Sequence, residues 1–282
     1  MQQLYQGGFK QAVISHHQHF KRHFISHQSD VFVSTPPKAG TTWMTQILHQ
    51  LKTGGDESFT NIYDIVPWLE WPSCTQTSEQ LIAQINNIAP PRVFKTHLNY
   101  DAKLNNQGKT VVIVRDPADC CLSFYYHRLG MSEQTRQAIN VTPPTDLDTF
   151  VDDWIQSEVW LNHMLSWWPH RNDSDVLWLE YKTMKQDIDG VLDQLLTFLN
   201  WTITTAQRNK VKHFISFDYM SSHQDRFSNF MKLPQAAFAE GQFIRKGKQG
   251  EGRKVLSPQL QQKIADSVYA KLPAQCKALF TQ

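Results

Sequence analysis

The stretch Val31-Phe32-Val33-Ser34-Thr35-Pro36-Pro37-Lys38-Ala39-Gly40-Thr41-Thr42-Trp43 decides the fold. Its first four residues form a short β-rich run, and Thr41 to Leu51 carries the apolar spacing of a helix, so the segment reads strand, loop, helix. A loop so placed offers free backbone amides and the positive end of a helix dipole to an anion, with Lys38 beside them. The same residues also suit a plain turn whose threonines cap the helix, and the segment alone does not decide between the two. A Walker A loop is disfavoured, because it requires GxxxxGK followed by Ser or Thr, whereas Lys38 precedes Gly40 and the spacing is shorter.

The same unit recurs downstream. Arg92-Val93-Phe94-Lys95 is a second strand candidate, and Thr110-Val111-Val112-Ile113-Val114 is apolar throughout most of its length, as a strand covered on both faces should be. Asp116-Pro117 then reads as a cap followed by a first-turn proline, opening a helix toward Leu129. Apolar residues from Phe150 to Leu165 recur every three or four positions, which predicts one long helix between Leu147 and Trp168. Val176-Leu177-Trp178-Leu179 is a further strand, and the stripe from Val191 to Leu199 a further helix. This alternation predicts an α/β fold, a mostly parallel central sheet flanked by helices. No repeat or linker divides the chain, so a single domain over residues 1–282 is expected.

Composition narrows the function. Of 282 residues, 40% are hydrophobic and 19% charged, which is ample material for a core and carries no signature of disorder. The net charge of +2 means that cationic groups act by local placement, so bulk nucleic-acid binding is disfavoured. Cys74, Cys120, Cys121 and Cys276 show no repeating spacing and read as reduced thiols of a cytoplasmic protein. Neither a signal-peptide pattern nor a membrane-length apolar run is present, so no membrane insertion is expected. His16, His17, His19, His23 and His27 lack companion ligands at metal-site spacing and read as a solvated helix; no metal is expected. Arg115 closes the third strand where a Walker B motif places a carboxylate, which points to a metal-free anion site.

Four segments in order, spanning roughly residues 31 to 254, resemble the cytosolic sulfotransferase family, which uses 3′-phosphoadenosine 5′-phosphosulfate (PAPS) as donor and releases adenosine 3′,5′-bisphosphate (PAP). Thr35 to Trp43 resembles its TYPKSGTTW loop, Pro91 to Leu98 its PRxxKTHLP, Arg115 to Ser123 its RNPKDxxxS, and Phe243 to Gly250 its FxRKGxxG. The resemblance implies a P-loop-like phosphosulfate site made by Lys38, Thr41 and Thr42 with the loop amides of Ala39 and Gly40, and Trp43 stacked on adenine. It implies that Arg115, Ser123, Arg245, Lys246 and Gly247 hold the 3′-phosphate, while Tyr181, Phe217 and Met220 line the adenine site. It further implies His97 as catalytic base, Lys38 on the bridging oxygen, Lys95 on the sulfuryl oxygens, and Ser123 holding Lys38 back until an acceptor arrives.

Several positions depart from the family pattern. Ala39 replaces a Ser, Asp116 an Asn, Ile215 a hydroxyl residue, and Glu251-Gly252-Arg253 an acidic residue followed by Trp and Lys. Asp116 is expected to cap its helix and turn away from the phosphate. Val255-Leu256-Ser257-Pro258 lacks the family's dimerisation pattern, so a monomer or a non-standard dimer is expected. Segments corresponding to acceptor walls, Ile65 to Trp71, Tyr125, Tyr126, Phe227, Phe230 and Phe238, are aromatic and favour a phenol or apolar alcohol. Two rivals remain: a nucleotide or nucleoside kinase, which would need Mg²⁺ and ATP, and a non-catalytic nucleotide-binding module, which would bind PAP and transfer nothing.

Overall fold

In a computed structural model, which describes residues 7–72, 76–101 and 107–280, four parallel strands form one sheet in the order β2-β1-β3-β4. They are β1 (Val31–Ser34), β2 (Val93–Thr96), β3 (Lys109–Val114) and β4 (Val176–Glu180). Ser34 is in register with Thr96 on one side and Val112 on the other, so the carboxyl ends of the strands open on the same edge. In a parallel sheet that edge is where ligands settle. Alternate residues of β3 serve opposite layers: Val111 and Ile113 join one hydrophobic cluster, Val112 and Val114 the other. This period of two is why an almost uninterrupted apolar run was needed.

The free edge of β2 is covered rather than solvated. Lys95 N–H donates to Pro67 C=O at 2.9 Å, and Leu69 N–H donates to Lys95 C=O at 3.0 Å, which docks the Trp68 segment along the strand.

Two expectations need correction. The stretch from Leu147 to Trp168 is two helices, Leu147–Ser157 and Val159–Trp167, broken at Glu158 with φ 49°. Ser157 Oγ donates to Trp154 C=O and Glu158 N–H to Ile155 C=O, closing the first helix without the Gly or Pro that would have marked the break. The histidine-rich segment is a helix, Gly7–His23, with a buried stripe of Val13, His16 and Phe20. His16 is not solvated: its ring bonds Ser78 Oγ at 2.9 Å and Leu69 C=O at 3.0 Å. Cys120, Cys121 and Cys276 are free and buried, while Cys74 lies outside the described residues.

At the amino ends of β1 and β2 sits an ion pair with no exposure on either side chain, Arg92 with Asp30. Arg92 Nε and Nη2 donate to the two carboxylate oxygens at 2.8 and 2.6 Å, and Nη1 and Nη2 also reach the Ile85 and Ile25 carbonyls. The carboxylate also accepts from His27 N–H, and the Asp30 carbonyl accepts from Lys109 N–H, so one residue gathers the starts of three strands. Removing one partner strands a buried charge, which typically costs about 3–5 kcal/mol. Asp30→Ala is therefore expected to lower unfolding stability by about that amount; a urea midpoint unchanged from wild type would contradict this role.

Candidate active site

The loop after β1 is shaped by two residues in the left-handed region, Lys38 at φ 71° and Gly40 at φ 109°. At Gly40 any Cβ would meet the Tyr181 ring at 2.8 Å, so only glycine fits between the loop and that ring. From Gly40 the chain enters the helix Thr41–Thr53. Thr41 Oγ1 bonds Thr35 Oγ1 at 2.5 Å, and Trp43 Nε1 donates to Ile215 C=O at 2.9 Å, which ties the helix start to a distant segment. Lys38, Gly40, Thr41, Thr42 and Trp43 all line one cavity of about 440 Å³. Ala39 does not: it is fully buried, and its amide donates to Pro36 C=O at 3.2 Å. In this turn its amide is engaged within the loop.

The opposite wall of the cavity is made by two stretches far apart in sequence. Arg115, Ser123, Arg245, Lys246 and Gly247 line it together. What brings them together is Asp119, whose carboxylate accepts from Gly250 N–H at 2.9 Å and from Gly252 N–H at 2.7 Å. A Cβ on Gly252 would lie 2.4 Å from the Ala118 backbone, so this contact excludes any side chain, and the absence of the family's Trp is a packing requirement here. Arg115 donates to Lys38 C=O at 3.2 Å and Lys248 C=O at 2.6 Å, with its guanidinium 4.4 Å from the Tyr181 ring centre. Tyr181 O–H donates to Gly247 C=O at 3.2 Å, and Phe217 packs against the same glycine. Glu251 neutralises Arg245 and Lys246, each at 2.6 Å. Asp116 caps the helix Pro117–Gly130 through the amides of Ala118 and Asp119 and accepts from Tyr269 O–H at 3.1 Å on its outer side, as expected. Met220 completes the lining beside Phe217, and Ile215, at 3% exposure, is core that offers its carbonyl to Trp43.

Just beyond the carboxyl end of β2, His97 Nδ1 lies 2.7 Å from Thr35 C=O. Nδ1 therefore carries the ring proton and donates it, which leaves the Nε2 lone pair free. Burial and the neighbouring Lys95 hold the pKa of His97 well below the usual histidine value, so the ring stays neutral. The backbone amide of His97 donates to the buried Glu70 carboxylate at 2.5 Å, fixing the strand end beneath the ring. Lys95 Nζ sits 3.6 Å over the Trp68 ring and 5.0 Å from that of Tyr63, and burial lowers its pKa to about 7. Burial, with Arg115 and Arg245 adding to it, lowers Lys38 to about 7 as well. Its ammonium is held by His127 Nδ1 at 3.0 Å.

Trp68, Trp71, Phe124, Tyr126, Phe230 and Phe243 form aromatic walls around this end. Phe227 is fully buried core, Phe238 packs behind the wall against His127, and Tyr125 turns toward Phe150; none of the three is a lining residue. Sequence reasoning missed Asp119 as the organiser, Tyr63, and His127. The only hint of His127 was its spacing, four residues after Ser123 on one helix face. Among the described residues, no group of three or more His, Cys, Asp or Glu side chains is placed to hold a metal ion.

Comparison with known proteins agrees with this arrangement. A family model described as the sulfotransferase domain matches residues 28–277. The chain is 27% identical over 263 residues to sulfotransferase 1 family member D1 of Mus musculus, covering 88% of this chain and 85% of the relative. To the amine sulfotransferase of Oryctolagus cuniculus it is 29% identical over 237 residues, 81% of this chain and 75% of the relative. Its fold superposes on a crystal structure of mouse sulfotransferase SULT7A1 complexed with PAP at a TM-score of 0.73 and 20% identity, covering 96% of this chain and 92% of that one. The match of a single family model to most of the chain, over a cavity lined by all four of its motifs, shows that this protein belongs to the sulfotransferase family, whose donor is PAPS.

Proposed function

We propose that one domain over residues 1–282 transfers the sulfuryl group of PAPS to the hydroxyl of a small aromatic or apolar acceptor, with His97 as general base. The observation that carries the reading is the convergence of Arg115, Ser123 and Arg245 to Gly247 on the cavity that also holds Lys38, Lys95 and His97. A doubly charged 3′-phosphate needs such clustered cations and amides, and a 5′-nucleotide without it would leave them unused. Lys38, Gly40, Thr41 and Thr42 then take the 5′-phosphosulfate, and Trp43, Tyr181, Phe217 and Met220 surround the adenine.

In the reaction the acceptor oxygen bonds to sulfur as the bond from sulfur to the 5′-phosphate oxygen breaks. His97 Nε2 takes the acceptor's proton, Lys95 faces the sulfuryl oxygens, and Lys38 offsets the charge that develops on the departing oxygen. An amine acceptor would enter as a cation beside Lys38 and Lys95, whereas a phenol enters neutral, so a phenol or alcohol is favoured over an amine. The aromatic walls support the same class, and relatives named for amines show how far acceptors vary within the family. Three buried free thiols and the likeness to a relative named cytosolic sulfotransferase 1, from Danio rerio, support a cytoplasmic location. A monomer or a non-standard dimer fits the altered stretch from Val255 to Pro258.

Calorimetric titration is expected to show PAP binding at least about tenfold more tightly than ADP or AMP, as loss of charge-assisted hydrogen bonds implies. Equal affinities would remove the sulfotransferase reading of this cavity. His97→Ala is expected to cut transfer from labelled PAPS by about 10² to 10⁴ while PAP still binds; a variant that keeps its rate would exclude His97 as base. The pH profile of kcat/KM for PAPS has a predictable shape. His97 must be neutral, so activity survives on the acid side to well below the ordinary histidine pKa, and the lysines must be charged, so it falls as pH rises through about 7. Because Lys38 and Lys95 interact, the alkaline limb belongs to the pair, and a flat profile from pH 6 to 9 would count against their roles.

A further inference from the structure

The aromatic end of the cavity contains one imidazole whose two nitrogens have different surroundings. His127, on the helix Pro117–Gly130, lines the cavity, and its Nδ1 lies 3.0 Å from Lys38 Nζ. An ammonium only donates, so Nδ1 accepts and the ring's own proton sits on Nε2. Burial keeps the ring neutral. The charged or titratable groups that face it are Lys38, the adjacent Arg128, Lys95 and His97, with no carboxylate among them to favour a second proton. Among the described residues the Nε2–H donor has no protein partner, and it is not one of the polar atoms sealed in the core, so it opens on the cavity.

The surroundings of this donor are carbon. The imidazole centre lies 6.0 Å from that of Phe124, 4.8 Å from Phe238 and 5.9 Å from Phe243. Nearby indoles offer no substitute, since Trp71 Nε1 donates to Met231 Sδ at 3.0 Å and Trp68 Nε1 is enclosed by protein. A wholly apolar acceptor packed on this wall strips water from Nε2–H and returns no hydrogen bond, a penalty that an acceptor with a suitably placed oxygen avoids. The group that meets Nε2–H must accept a hydrogen bond, and the cations around the ring favour partial negative charge on it.

Resting on the reading of the cavity as a PAPS site with a phenol or alcohol acceptor, we propose that His127 is a specificity-determining residue, whose Nε2–H selects phenols that carry a carbonyl oxygen away from the reacting hydroxyl. Such an acceptor spans two imidazoles. Its hydroxyl meets the lone pair of His97 Nε2, and its carbonyl meets the N–H of His127 Nε2.

The test measures kcat/KM for sulfuryl transfer from labelled PAPS to two matched pairs of phenols, using full-length wild type, His127→Phe and His127→Gln. The pairs are 3-acetylphenol with 3-isopropylphenol, and 6-acetyl-2-naphthol with 6-isopropyl-2-naphthol, which place a carbonyl or its apolar counterpart at two distances from the hydroxyl. The preference for acetyl over isopropyl is compared between proteins, so intrinsic phenol reactivity and any effect of the substitution on Lys38 cancel. In at least one pair that preference is expected to fall about fivefold in His127→Phe, the value of one neutral hydrogen bond. His127→Gln, whose amide N–H can reach the place of Nε2–H, is expected to keep most of it. PAP binding by each variant checks that the cavity is intact, and His127→Leu substitutes if the Phe variant does not fold. A preference unchanged in both pairs, or lost equally in the Gln variant, overturns the proposal and leaves the function standing. A wild-type protein that transfers to none of the four phenols sinks both.

Discussion

Crowding of positive charge in a poorly solvated space is the constraint around which this molecule is organised. Lys38, Lys95, Arg115 and Arg245 face a single cavity, where Arg115 and Arg245 make Lys38 costlier to charge and Lys38 does the same to Lys95. The protein tolerates this by two means. Arginines stack on aromatic faces, Arg115 on Tyr181 and Arg245 on Tyr126. Two carboxylates, Asp119 and Glu251, neutralise the arginine side. Among the described residues neither lysine has a salt bridge: Lys95 rests on Trp68 with the Glu70 carboxylate acting at a distance, and Lys38 rests on a neutral imidazole. Burial is the main reason that both lysines have depressed pKa values, and the neighbouring cations add to it.

The fold makes such crowding sustainable by keeping its rigid anchoring elsewhere. At the amino ends of the strands, Asp30 and Arg92 form a fully paired buried ion pair whose hydrogen bonds fix the starts of β1, β2 and β3. At the carboxyl ends, Lys38, Lys95 and His97 line the cavity. Between the two ends lies a sheet buried on both faces, and His97 is fixed beside its edge by Thr35 C=O and Glu70.

How much of this was legible in the sequence follows from the kind of signal each feature leaves. The strands and the helix after the loop carry local periodicity, so β1 and β3 were read within a residue of their ends, and Asp116 declared its cap through the proline behind it. Residues acting through backbone contacts left no such trace. Asp119 looks like any helix-face acid until Gly250 and Gly252 arrive from more than a hundred residues away. Glu158 breaks a helix with a left-handed turn that its side chain does not announce. His16 resembled its exposed neighbours because periodicity shows that a position is buried only when its residue type is apolar. Aromatic walls were legible as a class but not individually: Phe227 and Phe230 are three apart, yet one is core and the other faces the cavity.

Three of the departures from the family pattern, Gly252, Arg253 and Asp116, are physically connected. On the donor side, Gly252 allows the 250–252 backbone to press onto Ala118 and Asp119, and Arg253 reaches outward to Asp116, the residue that replaced a neutral Asn. A larger residue at 252 would push this segment off Asp119, and the carboxylate at 116 gives Arg253 a partner on the far side of the same helix start. These substitutions therefore make sense jointly: tight backbone docking takes over what a bulky ring would otherwise do, and an outer ion pair keeps the docked segment in place. Both contacts lie at the start of the helix Pro117–Gly130, so the three substitutions are accounted for by one backbone contact and one ion pair.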